Sequence, residues 1–141
     1  MTRRTAYVVM AAGLAYFALT FAAGFALGVV RVLVVLPRLS PTLGETTAVL
    51  LELPVILTIA WWVCRWLVSR FEVPPSAPAR LLMGALAFSL LLGAEMVLGA
   101  LGFGRTASDQ LQSFLHLPGF LGLLGQLAFA AFPLIQLTRG A

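Results

Sequence analysis

Arg31, Glu52, Glu95 and His116 are ionisable residues set within, or at the edge of, long apolar stretches of a 141-residue chain. A charged side chain inside a bilayer costs several kcal/mol even on lenient insertion scales, so it persists there with a partner or a task. Two carboxylates, a guanidinium and an imidazole allow three kinds of chemistry. Arg31 can pair with Glu52 or Glu95 and fix how helices pack. Two glutamates against one arginine leave one carboxyl in excess, which in low dielectric takes up a proton and makes a natural proton carrier. Glu52, Glu95 and His116 together could ligate a divalent ion, although no ExxH or HxxxH spacing supports a metal site and none is assigned. Glu45, Arg38 and Gln126 are secondary polar candidates around the same cluster.

Enzymatic readings find less in the sequence. Acid–base chemistry on a lipid headgroup would need a nucleophile motif, a phosphate-binding loop or an HExxH helix, and the chain has none of them. No catalytic residue is assigned and no cofactor is named. Cys64 is the only cysteine, which excludes an internal disulfide and reads as a small apolar helix residue.

The elements that must hold the cluster follow from composition. With 61% hydrophobic and 10% charged residues and a mean hydropathy of +1.03, the chain belongs in lipid. Four apolar runs, at about 6–36, 46–68, 81–102 and 117–137, each reach the roughly 20 residues that cross a hydrocarbon core. Backbone groups in lipid must be paired within the segment, and period-two alternation is absent, so the runs are predicted as helices. The fold class is all-α: a single four-helix transmembrane domain over 1–141, with short Pro- and Gly-rich connections that make an antiparallel bundle. Thr106 and Asp109 form a capping-box pattern, and Leu111, Phe114 and Leu115 share a face, so a short interfacial helix is expected before the fourth span. Pro54 should kink the second helix just inside Glu52.

Orientation follows from the arginines. With the N-terminus inside, Arg3, Arg4, Arg65, Arg70, Arg80 and Arg139 face the cytoplasm and Arg31, Arg38 and Arg105 face out. That bias puts both termini in the cytoplasm, and the Lys-free, Ala/Gly/Arg-rich usage points to a bacterial inner membrane. The N-terminal run is too long for a signal-peptide core, and Arg3 and Arg4 serve as an anchor. Trp61, Trp62 and Trp66 read as an interfacial aromatic belt. At about 1.5 Å per residue, Glu52 and Glu95 both fall in the outer third of the membrane, with Arg31 and His116 near the outer boundary.

Each helix also carries a stripe of small residues, with Gly24, Gly28, Gly84, Gly99, Gly119 and Gly122 the candidates for helix–helix contact. Gln126, Gln136, Ser89 and Thr58 are expected to hydrogen-bond between helices. The partners expected are membrane lipids and either further copies of the chain or other membrane subunits; the arginines form no basic face for nucleic acid. The leading expectation is an accessory, assembly or structural subunit acting through helix packing. The alternatives are an oligomeric proton-coupled transporter or channel using Glu52 and Glu95, and then a divalent-metal-binding membrane protein.

Overall fold

The computed structural model describes residues 2–30, 33, 44–104 and 106–138. Arg31, Arg38, Arg105 and Arg139 lie outside the described residues. The protein is all-helical, with α1 (Arg3–Val30), α2 (Gly44–Arg70), α3 (Ala77–Phe103), α4 (Ala107–Ser113) and α5 (Leu117–Thr138). Four of these helices are long and apolar enough to cross a membrane.

Helix ends follow local chemistry. α3 starts four residues before the predicted 81 because Pro78 falls in its first turn, where a missing N–H leaves nothing unpaired. α3 stops at Gly104, whose φ of 66° is left-handed and whose N–H returns to the Gly99 carbonyl. α4 opens with both halves of the predicted capping box: Thr106 Oγ1 accepts from the Asp109 N–H at 3.1 Å, and Asp109 Oδ2 accepts from the Thr106 N–H at 3.0 Å. α2 runs through Pro54 and ends in a Schellman turn, in which the Val73 N–H reaches the Val68 carbonyl at 3.0 Å and the Glu72 N–H reaches the Ser69 carbonyl at 3.3 Å.

Glu72 holds the left-handed position of that turn with φ 53°. A residue with a Cβ is strained there by about 1 kcal/mol, and glycine is not. Glu72→Gly is therefore expected to stabilise the protein by about 1 kcal/mol. An SDS-titration unfolding curve checks this, and an unchanged or lowered midpoint would refute it.

α1 packs against α2 and α3, and α5 packs against the same two, so the four long helices form a ring in the order α1, α2, α5, α3. Among the described residues α2 and α3 do not pack directly on each other although they are consecutive in the chain. The connection at 71–76 can span about 20 Å, enough to cross the bundle. Along α2 and α5 the pairings rise together, Leu53 with Gly125 and Trp61 with Gln136. Along α3 and α5 they run in opposite directions, Glu95 with Gln126, Gly84 with Ala130 and Arg80 with Pro133.

The core lies toward the end that carries the α2–α3 turn, where Val9, Ala12, Tyr16, Cys64, Leu67, Met83 and Phe129 are buried. Small residues let the backbones close up here. A Cβ at Gly13 would lie 3.1 Å from both the Met83 carbonyl and Leu86 Cδ2, and one at Gly84 would collide with the Ala130 carbonyl. The outer surface is apolar instead, with Leu14, Phe25, Leu51, Val97 and Leu101 exposed. That reverses the pattern of a water-soluble fold and suits helices facing lipid.

Candidate functional site

One proline organises the packed end. Pro133 sits inside α5 and has no N–H, so the carbonyl of Phe129, four residues earlier, loses its helical donor. Tyr16 of α1 supplies the replacement: its hydroxyl donates to the Phe129 carbonyl at 2.6 Å while its ring stacks on the Phe129 ring at 4.1 Å. The Pro133 carbonyl in turn accepts from Arg80 Nη1 at 3.1 Å, and Arg80 Nε donates to the Pro74 carbonyl at 3.3 Å. Arg80 is only 3% exposed. The residue predicted as a cytoplasmic topology charge is thus a buried clamp joining α3, the α2–α3 turn and the C-terminal half of α5. Gln136 Nε2 donates to the Trp61 carbonyl at 2.9 Å and ties α5 to α2.

Trp61 turns inward, edge-on to Phe132 at 5.2 Å, so only Trp62 and Trp66 of the three tryptophans are exposed in the manner of a belt. Arg65 lies over the Trp62 ring at 5.7 Å. Ser89 and Thr58 depart from the expectation of interhelical bonding: each hydroxyl donates to the carbonyl four residues back in its own helix, at 2.8 and 2.7 Å, the usual outlet for a hydroxyl facing away from the bundle.

Toward the other end, the one that carries α4, a partly open cavity of about 810 Å³ lies between the helices. Thr20, Ala60, Leu91 and Phe129 line it where it meets the packed core. Phe21, Phe25, Leu53, Ile56 and Leu98 line its long walls, and Gln110, Ser113 and Phe114 of α4 and the following turn line it as well. α4 is seated closely on α5, since a Cβ at Gly119 would strike the Ser113 carbonyl.

Polar groups enter this apolar space at a few points. Glu52 of α2 and Glu95 of α3 both line it. Gln126 of α5 donates from Nε2 to Glu95 Oε1 at 2.6 Å, which leaves Gln126 Oε1 buried without a hydrogen-bond partner. Thr20 is 5% exposed, and its Oγ1 is likewise buried and unpartnered. Thr20 lies one turn beyond Tyr16 on α1, and Gln126 lies about one turn before Phe129 on α5. The two therefore face the cavity at a similar level, about 5 Å above the Tyr16–Phe129 contact.

The structure brings together Glu52, Glu95 and Gln126 from the polar residues predicted by sequence. His116 lies in the turn between α4 and α5, is exposed, and does not line the cavity. Arg31 and Arg38 lie outside the described residues, and Glu45 is placed in the first turn of α2. Among the described residues no three of His, Cys, Asp and Glu gather closely enough to hold a metal ion. Among the small residues, Gly84 meets Ala130 backbone, Gly119 meets Ser113 backbone and Gly24 meets Ile56 at ordinary contact distance. Gly24, Gly28, Gly99, Gly119 and Gly122 also line the cavity, and a Cβ at Gly122 would meet nothing within 4 Å. Tyr16 was not singled out by sequence, whereas Thr20 belonged to the small-residue stripe of the first helix and Arg80 to the arginines counted for orientation. The signal for Tyr16 was the proline at 133, which frees a carbonyl at 129 and so calls for a donor from elsewhere.

Four helices of this length and apolarity define an integral membrane protein with a ligand-sized cavity between its helices. Comparison with protein-family models, curated proteins and solved structures returned no match.

Proposed function

We propose that this protein binds an apolar or amphipathic molecule in the cavity at the α4 end of its bundle. Its setting in this reading is a bacterial inner membrane, crossed by the four long helices in alternating directions. Both termini are cytoplasmic, and α4 lies in the outer interface with Leu111 and Leu115 toward the lipid. The observation that carries the reading is the cavity itself. About 810 Å³ is within the range of roughly 300–1,000 Å³ typical of small-molecule sites, and an apolar lining with a few convergent polar groups is the usual composition of such sites. The solid packing at the opposite end supports it as well, since a rigid base lets a hollow half persist without collapse.

The accessory-subunit expectation drew on stripes of small residues offered to partner helices. Of those glycines, Gly84 and Gly119 meet backbone of the chain's own helices, which removes part of that support. A second reading, proton-linked transport by an oligomer, is favoured by Glu52 and Glu95 lining one cavity. It predicts that Glu95→Gln abolishes a pH-driven flux in liposomes while the fold is retained.

Gly122→Phe tests the cavity reading, because Gly122 lines the cavity, an added Cβ there meets nothing within 4 Å, and a large side chain would occupy the space. The expected result is a variant at least as stable as the wild type. Mass spectrometry of gently extracted protein should then find a small amphiphile with the wild type and not with the variant. Equal recovery from both would overturn the reading.

A further inference from the structure

We propose that the cavity takes an amphiphile whose headgroup is a hydrogen-bond-donating cation, an ammonium bearing N–H groups, seated between Thr20, Gln126 and Glu95. The proposal rests on the cavity reading above and adds the ligand's chemical class. At this level the groups left for a ligand are the Gln126 amide oxygen and the Glu95 carboxyl, which accept, and the Thr20 hydroxyl, which can accept as well as donate. Gln126 has committed its amide N–H to Glu95 at 2.6 Å, and its Oε1 is buried and unpartnered. Thr20 Oγ1, on a side chain only 5% exposed, is also unpartnered, and the Glu95 carboxylate accepts. A buried acceptor without a donor is a standing loss that a donor from the ligand removes. The charged side chains among the described lining residues are Glu52 and Glu95, so a cationic headgroup meets opposite charge there and a carboxylate or phosphate meets like charge. Phe21 borders the same region, and aromatic surface suits a cation more than an anion. The walls toward α4, with Phe25, Val29, Leu98 and Phe114, are apolar apart from Gln110 and Ser113 and accept the tail.

The test is isothermal titration of the full chain in phosphatidylcholine nanodiscs, with empty nanodiscs as the blank. Dodecylamine, dodecanol and dodecanoate, which share a tail, are the probes. Dodecylamine is expected to bind about tenfold or more tighter than dodecanol, and dodecanoate more weakly than either. Gln126→Leu and Thr20→Val should each weaken dodecylamine by about tenfold and dodecanol by less, since a neutral O–H donor gains less from the same acceptors. Gly122→Phe should abolish all protein-dependent binding. Replacing part of the lipid by phosphatidylethanolamine separates two sources of the same chemistry: competition with dodecylamine assigns the site to a lipid ammonium, and its absence assigns it to a free amine. Equal affinities for the three probes, all lost in Gly122→Phe, would overturn the cationic assignment and leave the cavity standing. Binding that survives Gly122→Phe would remove the cavity reading and the assignment with it.

Discussion

Gly84→Ala is expected to destabilise the protein by about 3 kcal/mol, toward the upper end of what overpacking costs. The α3 and α5 backbones meet at this residue, and the atom that an added Cβ would strike is the Ala130 carbonyl oxygen. A flexible side chain could rotate out of the way, whereas a helix carbonyl is fixed by its own ladder. The two helices must separate, and with them the Arg80 and Tyr16 contacts on either side of the crossing. Gly93→Ala is the internal control. It lies nine residues further along the same helix, is exposed, and a Cβ there would meet nothing within 4 Å, so its effect should stay within about 1 kcal/mol. Reversible unfolding in mixed micelles reads both variants. Equal effects from the two alanines would refute the close approach.

That pair of glycines also marks how far the sequence could be read. The long helices are legible because hydrocarbon thickness and backbone satisfaction leave few options, and the fourth span, expected at 117–137, is found at Leu117–Thr138. The start of α3 was missed because Pro78 and Arg80 look like a loop, although proline is at home in a helix's first turn. The cavity was not legible at all. A small residue can mark a close contact, as at Gly84, or an opening, as at Gly122, and its spacing along a helix is the same in both cases. Depth arithmetic did group Glu52 and Glu95, since rise per residue is nearly constant. Thr20 falls on the small-residue stripe of the first helix, but its burial without a partner cannot be read from spacing. Nor can the ring order of the helices, because a connection of six residues reaches a diagonal as easily as a neighbour.

Arg80→Met is the second large effect expected, a loss of about 3 kcal/mol. The methionine keeps most of the apolar stem and removes the guanidinium, so the Pro133 and Pro74 carbonyls lose charged donors at 3.1 and 3.3 Å. Hydrogen bonds to a charged group contribute about 1.5–3 kcal/mol each, with the longer of these two at the lower end. Arg80→Lys should recover only part of the loss, because one ammonium on a flexible stem does not reproduce two donors held in a planar fork. Tyr16→Phe is a related but smaller change. It keeps the ring stack and strips the donor from the Phe129 carbonyl, at a cost of about 1–3 kcal/mol. Both residues act on the same proline-interrupted turn of α5, so the double variant should lose less than the two single losses added together. If Arg80 served only to hold topology, Arg80→Met would leave the unfolding midpoint where it was and change only the ratio of orientations on insertion. A fallen midpoint with unchanged orientation assigns Arg80 to the clamp that closes the packed half of the bundle beneath the cavity.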